Sequence, residues 1–369
     1  MAIETIETWI LVEPLTHPVE FGNMRFASRD YAVVRITDGD GALGVAYGLA
    51  RGAPVASMVA SFGDAVVGRD PEDTERVWNE LYARSITSGQ RGVALRAISL
   101  IDIALWDLRA RRAGQPVHGL LGRQASRVRA SVGGGYFRER RSREEIAAEL
   151  AGYVRDGFGI VKIPAGGMPA VDEERWVAMA RDAVGPDVDL AIDTHWTWSD
   201  VRSARKVLER LEPFGLDWIE DPMWPEAIAA VAELRRHLRT PIAIGDELSG
   251  RWAYQQMLEP RAADIWRVDV TTVGGFTEAR RVLGMASAWG IPISPHIYPE
   301  LHVHLAAADA SVMCVEYTTP ESEIDLSHRF VHGTLSPDRG WFDAPTAPGL
   351  GIEVDFERVA ATATASWTR

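Results

Sequence analysis

The sequence predicts an α/β protein, a parallel (β/α) barrel preceded by an α+β module. Two observations carry this reading. From about residue 126 onward, eight short apolar segments each end in polar residues, with amphipathic segments between most of them. Before that point, alternating strand-like segments come first and a three- to four-residue periodicity follows.

In chain order, ETIETWILVE (4–13) alternates as a half-buried strand, and YAVVRITDGDGALGVAYG (31–48) holds two strands joined by Asp-Gly turn chemistry. HPVEFGNMRFASRD (17–30) reads as a loop between them. Helices are predicted over 56–71, 72–85 and 93–114, the last ending at Gly114 just before Pro116. The barrel strands are RASVGGGYF, GIVKIP, VDLAIDTHW, LDWIEDP, IAIGDEL, ADIWRVDV, IPISPHIY and VMCVEYT. Segments such as SDVRSARKVLERLEP and TEARRVLGMASAWG supply the helices between them. A doubly wound open sheet is the alternative, but no GxGxxG opens a helix; the glycines at 133–135 read as a flexible strand end. After Phe330 the chain is rich in Gly and Pro, ends in one strand-like piece, and is expected to close back on the first module. The expected division is therefore 1–125 together with the tail 331–369, and a barrel over 126–330.

Composition narrows the partners. A formal net charge of -13 argues against nucleic acid and anionic membrane, which need a basic surface, but leaves room for a locally cationic or metal-bearing site. No stretch approaches a membrane span, and the acidic N-terminus MAIETIETWILVEPL lacks a signal peptide's basic region, so a cytoplasmic protein is expected. The single cysteine, Cys314, permits no internal disulfide and reads as a small core residue.

In a parallel barrel the chemistry lies at the C-terminal ends of the strands. Those ends present Lys162, Asp193 with His195, Glu220, Glu247, Asp269, His296 and Glu316. Asp193 to Glu220, Glu220 to Glu247 and Asp269 to His296 are each 27 residues, one strand–helix unit, so these groups should recur at similar depth. Three carboxylates on consecutive strands would repel one another, and a hard divalent cation such as Mg²⁺ resolves that. His302 and His304 lie two apart on an expected helix, hence on different faces, and read as structural. His17 opens the expected loop 17–30, with solvent as its default environment.

AISLIDIALWDLRARRAGQPVHGLLG (97–122), the strand-two lysine, WIEDP (218–222), GDEL (245–248), DVTTVGGFTEA (269–279) and SPHIYPELHVHLAAA (294–308) resemble the enolase superfamily, and within it the mandelate racemase-like subgroup. The resemblance spans nearly the whole chain. It implies a modified (β/α)7β TIM-type barrel under an α+β capping domain, with residues 11–30 and a loop near 45–55 over the mouth. It also implies abstraction of a proton α to a carboxylate, with a metal-stabilised enediolate. By resemblance, Asp193, Glu220 and Glu247 are the Mg²⁺ ligands, and His296 is the base, oriented by Asp269. Lys162 contacts the substrate carboxylate, and Glu316 hydrogen-bonds it opposite the metal. Phe21, Met24, Arg25 and Tyr136 are the candidate substrate contacts, and a homodimer or octamer is implied.

The chain departs from the racemase pattern at two places. Racemases of the subgroup carry a Lys-x-Lys pair on strand two, where this chain has Lys162-Ile163-Pro164, so the second base is missing. His195 stands where such racemases often have an amide and where several sugar-acid dehydratases have a general acid. One base and one acid suit β-elimination of water, because hydroxide is a poor leaving group. The expectation is a Mg²⁺-dependent dehydratase (a hydro-lyase) converting an aldonate- or aldarate-class sugar acid to a 2-keto-3-deoxy acid. In the superfamily that the chain resembles, a strand-seven base addresses an α-carbon of R configuration, so galactonate- or gluconate-like acids are implied. The alternatives are a racemase or epimerase using His296 with another partner, and a ligand-binding barrel without catalysis.

Overall fold

Val, Ile and Tyr recur at alternate positions of the first fifty residues, and they assemble into an antiparallel sheet. The computed structural model of the chain describes residues 2–22 and 24–369, with the backbone alone at Phe21. The sheet is built from β1 (Ile3–Phe21), β2 (Met24–Asp38) and β3 (Leu43–Leu49). The segment 17–30, expected as a loop, is instead the closing part of the β1–β2 hairpin, where Val19 faces Phe26 and Glu20 faces Arg25. Proline, glycine and charge made it read as a loop; cross-strand pairing with an irregularity between Pro14 and Val19 makes it a strand.

Helices α1 (Val55–Val66), α2 (Thr74–Arg84) and α3 (Val93–Arg112) follow, then the short α4 (Val117–Leu121). Almost every side chain of α3 is buried, because the helix lies between the cap sheet and the barrel. Its polar groups are matched across that junction: Trp106 Nε1 donates to Thr277 Oγ1 at 2.9 Å, and Thr277 N donates to Asp102 at 2.9 Å.

The barrel alternates β4 (Arg127–Gly133), α5 (Arg143–Arg155), β5 (Ile160–Pro164), α6 (Ala170–Val184), β6 (Asp189–Asp193), α7 (Val201–Leu211), β7 (Trp218–Glu220), α8 (Ile228–His237), β8 (Ile242–Ile244), α9 (Arg251–Leu258) and β9 (Ile265–Trp266). After α10 (Val270–Val273), α11 (Gly275–Trp289) and α12 (Pro299–Ala306), β10 (Val315–Thr318) pairs in parallel with β4. The expected seventh strand, IPISPHIY, is reduced to bridges from Ile293 to Trp266 and to Val312. Pro292 and Pro295 have no N–H to give a ladder, which is why regular pairing stops there. The bridges still close the ring, and the result is the modified (β/α)7β barrel with its α+β cap.

The tail adds β11 (Val331–His332), β12 (Trp341–Asp343), β13 (Glu353–Val354), α13 (Phe356–Thr362) and β14 (Ala363–Thr368). β12 pairs with β4, and β14 pairs with β1 to complete the cap sheet. Buried Asp107 on α3 accepts from Val45 N at 2.9 Å and Leu350 N at 2.7 Å, tying tail to cap. Among the described residues, no helix is long and apolar enough to cross a membrane.

Candidate active site

The barrel interior is layered, and strand alternation explains which side chains reach the mouth. Ile160, Ala191, Trp218, Ala243 and Ile265, one from each of five strands, form an apolar plug with Cys314, which immediately precedes β10 and is the expected core residue. Two residues further along the same strands come Lys162, Asp193, Glu220, Gly245, Arg267 and Glu316. Four of these close a ring of alternating charge. Lys162 Nζ lies 2.8 Å from Glu220 and 2.6 Å from Glu316, while Arg267 lies 3.1 Å from Glu220 and 2.5 Å from Glu316. Burial disfavours a charged lysine, but Glu220 and Glu316 outweigh that and raise the Lys162 pKa.

Above this layer lies a cavity lined by cap and barrel together: Phe26, Arg29 and Arg51 from the cap, Lys162, Asp193, His195, Asp246, His296 and Glu316 from the barrel. The free volume between the described walls is about 40 Å³.

His296 and Asp269 come together as expected. His296 Nδ1 donates to Asp269 at 2.9 Å, which leaves Nε2 with its lone pair, 3.7 Å from Asp246. Burial opposes an imidazolium there, but the Asp269 hydrogen bond and the Asp246 charge raise the His296 pKa. His302 stands behind the pair: its Nε2 accepts from Val270 N at 3.0 Å and its Nδ1 donates to Ile297 O at 2.6 Å. It braces the residues following both Asp269 and His296, which is the structural role expected of it. His17 is exposed.

His195 lines the same cavity, with a positive φ of 42° followed by Trp196 at 56°, backbone that non-glycine residues adopt at a cost. Its N–H donates to Asp193 at 3.1 Å, and its ring meets the edge of Phe26 at 5.9 Å. Burial, with Arg51 nearby, pushes its pKa down to about 3, so the imidazole is neutral.

Several expected residues lie elsewhere. Glu247 is held outside the cavity by Arg96 and by Arg51 at 3.2 Å. Asp246 faces the cavity in its place, because β8 ends at Ile244 and Gly245, at φ +137°, turns the chain and shifts the alternation by one. A Cβ on Gly245 would lie 2.4 Å from Arg267 O, so only glycine permits that exit. Met24 is exposed, and Arg25 points to solvent opposite Glu20, while Phe26 and Arg29 of the same strand line the cavity. The Phe21 side chain lies outside the described residues. Tyr136 does line the cavity, its hydroxyl occupying the space that a Cβ on Gly133 would fill. Glu316 accepts from Lys162, Arg267 and Ile297 N, and the two cations hold its carboxyl below the usual carboxylate range. Pro164 is buried beside Asp193, its carbonyl taking a hydrogen bond from Trp176 at 2.8 Å, and it brings no base to that edge.

The residues missed in the sequence are Asp246, Arg267, Arg29, Arg51 and Asp221. Arg267 was readable from alternation with Ile265. Asp246 was not, since the signal lies in the backbone at Gly245. Asp221, also buried, hydrogen-bonds Asp246 and keeps the proton of that pair, because burial and the Asp246 charge raise its pKa.

Asp193, Glu220 and Asp246 together offer the oxygen donors a hard cation prefers. Asp246 Oδ1 is buried and makes no hydrogen bond, which suits a cation ligand. Among the described residues no three such groups converge into a closed metal cage; Lys162 draws Glu220 and, at 3.5 Å, Asp193 toward itself.

Comparison with known proteins agrees with this architecture. Residues 5–122 match the mandelate racemase/muconate lactonizing enzyme N-terminal domain, and residues 145–359 match the enolase C-terminal domain-like family. The chain is 34% identical to D-galactarolactone cycloisomerase of Agrobacterium fabrum, over 96% of this chain and 97% of that protein. It is 29% identical to arabinonate dehydratase of Saccharolobus solfataricus, over 88% of each. The crystal structure of L-talarate dehydratase from Polaromonas sp. JS666, complexed with Mg and L-glucarate, superposes with a TM-score of 0.88 at 27% identity, covering 100% of this chain and 98% of that one. With both domain families matched and the barrel-end residues in place, the chain belongs to the enolase superfamily, in its mandelate racemase-like subgroup.

Proposed function

We propose that the protein dehydrates a sugar acid, removing the α-proton and the β-hydroxyl to give a 2-keto-3-deoxy acid. The observation that carries this is the His296–Asp269 pair at 2.9 Å, facing a cavity that also contains His195. His296 Nε2 takes the α-proton, the electrons of that C–H bond pass into the substrate carboxylate as an enediolate, and they return to form the Cα=Cβ double bond when the β-hydroxyl leaves. As the Cβ–O bond breaks, His195 gives its proton to the departing hydroxide, and the enol product tautomerises to the ketone. His195 is neutral beforehand; an anionic substrate beside it raises its pKa toward the range of a useful acid. Lys162 faces the reacting carboxylate, and Pro164 leaves the opposite face without a second base, which disfavours racemisation.

Asp193, Glu220 and Asp246 are the residues that would hold Mg²⁺, as the donor set and the orphaned Asp246 oxygen favour. A cation bound there supplies positive charge against the substrate carboxylate as the α-proton leaves.

A second reading is intramolecular elimination that opens a lactone or anhydro ring. The Agrobacterium relative bears a cycloisomerase name, and a ring leaving group that departs as a carboxylate needs no acid, which suits a neutral His195.

The test is a panel of acid sugars and lactones with Mg²⁺ in ²H₂O, scored for keto acid and for deuterium at the α-carbon. His296→Asn should abolish exchange and turnover, by roughly 10²–10⁴-fold. His195→Asn should stop dehydration while exchange persists; if ring opening survives that change, the cycloisomerase reading takes over. Exchange without keto acid, or normal turnover by both variants, would sink the dehydratase reading.

A further inference from the structure

We propose that Thr197 is a positioning residue for loss of the β-hydroxyl: it clasps the turn that carries His195 and so aims the acid, while removal of the α-proton does not depend on it. This rests on the dehydratase reading of the site and adds to it what holds the acid in place.

His195 and Trp196 both lie in the left-handed region, at φ 42° and 56°. Neither side chain favours that backbone, so the surroundings have to impose it. On one side the turn is tied to the end of β7. Thr194 N and Oγ1 donate to Glu220 O at 3.0 and 2.9 Å, and Trp196 N donates to Asp221 O at 2.7 Å. On the other side Thr197 closes the turn on itself, its N–H and its hydroxyl both donating to Thr194 O, at 3.1 and 2.5 Å. That hydroxyl also fills the space against Gly22 of the β1–β2 hairpin and Gly166 of the loop after β5, where a Cβ on either glycine would overlap it. Cap, neighbouring strand and acid turn thus meet at one hydroxyl.

The pose of the imidazole follows from this backbone. The His195 ring packs on the Trp196 ring at 4.2 Å and meets the edge of Phe26 at 5.9 Å. A turn that relaxes toward ordinary φ at 195 and 196 swings both rings together. The base is held by other means: Asp269 accepts from His296, Ile297 N donates to Glu316 at 3.0 Å, and His302 donates to Ile297 O at 2.6 Å. Asp193 stands in the regular ladder of β6, between Pro164 and Glu220. Loosening the clasp therefore separates the two steps, leaving proton removal and the cation ligands in place while the acid loses its aim.

The experiment compares the full-length parent, Thr197→Val and Thr197→Ser with Mg²⁺ and galactonate, gluconate or galactarate in ²H₂O, reading keto acid and deuterium in the recovered substrate. In Thr197→Val, which keeps the shape and loses the hydroxyl, keto-acid formation should fall about tenfold to hundredfold. Total α-proton removal, exchange plus elimination, should stay within about threefold, and Thr197→Ser should keep both steps. The 3-deoxy-3-fluoro analogues lose fluoride, which takes the C–F electron pair and needs no proton, so the Thr197→Val defect should vanish with them. Separately from turnover, acylation of His195 by diethyl pyrocarbonate, read by mass spectrometry, should be faster in Thr197→Val and not in Thr197→Ser. Folding is checked by circular dichroism, and Gly166→Ala, which presses on the same hydroxyl from outside, should reproduce the pattern. Parental keto-acid formation by folded Thr197→Val, equal loss of both steps, or unchanged acylation of His195 would overturn the proposal. A parent that makes no keto acid from any of these acids would end the dehydratase reading, while faster acylation in Thr197→Val would still support the clasp.

Discussion

Asp246 and Glu247 are adjacent carboxylates with opposite surroundings. Glu247 is neutralised by Arg51 and Arg96, whereas Asp246 faces the cavity with one oxygen lacking any hydrogen bond. Removing charge from the first should therefore disturb the cap arginine, and removing it from the second should disturb the cation. Asp246→Asn is expected to weaken Mg²⁺ binding about tenfold or more, by calorimetry. Glu247→Gln should keep Mg²⁺ affinity within about threefold of the parent while raising KM, since Arg51 loses its brace. The reverse order of effects would restore Glu247 as a ligand. Lys162, Asp193, Glu220, Asp269 and His296 were legible because they follow apolar strand residues in step with the alternation. The third carboxylate was not, because equal 27-residue spacing assumes that every strand leaves the barrel in the same way, and β8 does not.

At the scale of elements, the exit from β8 depends on Gly245. Its φ of +137° and the 2.4 Å approach of Arg267 O to a would-be Cβ leave an alanine no room. Tyr254 makes the crowding worse: its hydroxyl bridges Gly245 O and Arg267 O at 2.9 and 2.8 Å, so neither strand can drift apart without losing a buried bond. Gly245→Ala should lower stability by roughly 1–3 kcal/mol in urea unfolding and also weaken Mg²⁺ binding, because Asp246 moves with the turn. Parental stability together with parental Mg²⁺ affinity would show that the turn is not what aims Asp246. The same scale shows where sequence patterning stops being informative. Helices α1 and α2 were readable from periodicity, since each buries one apolar face, and α3, buried on nearly every side between cap and barrel, from its long run ending at Gly114. The end of the β1–β2 hairpin was not, because its strand character comes from cross-strand partners. The seventh barrel strand was over-read, since an apolar run with two prolines fits a strand by hydrophobicity and fails it by hydrogen bonding.

At the scale of the whole molecule, cap, barrel and tail meet at a pair of buried histidines. His304 on α12 donates from Nε2 to Leu350 O of the tail at 3.1 Å. Its Nδ1 accepts from the backbone N–H of His118 on α4 at 3.2 Å, and the two rings stack at 5.4 Å. Both nitrogens of His304 are thus engaged in the neutral form, and a proton on Nδ1 would destroy the acceptor that His118 N–H needs. Burial pushes the His304 pKa down to about 3, and burial with Arg123 lowers that of His118. An unfolded histidine titrates near about 6.5. Between those values the unfolded chain binds protons that the folded chain refuses, so stability rises with pH across the window and is lost as pH falls below about 6.5. His195 and His302, whose pKa values are also lowered, act in the same direction. Asp102 and Glu300, whose buried carboxyls are pushed up to about 7, and His296, whose pKa is raised, act in the opposite direction, so the His304 contribution is read as the difference between variant and parent in urea unfolding at pH 7.5 and at pH 5. His304→Asn should be less stable than the parent at pH 7.5, and that deficit should shrink by roughly 2 kcal/mol at pH 5, where the parent alone bears the cost of keeping His304 unprotonated. A variant as steep as the parent would mean that the junction of cap, barrel and tail does not sense protons through His304.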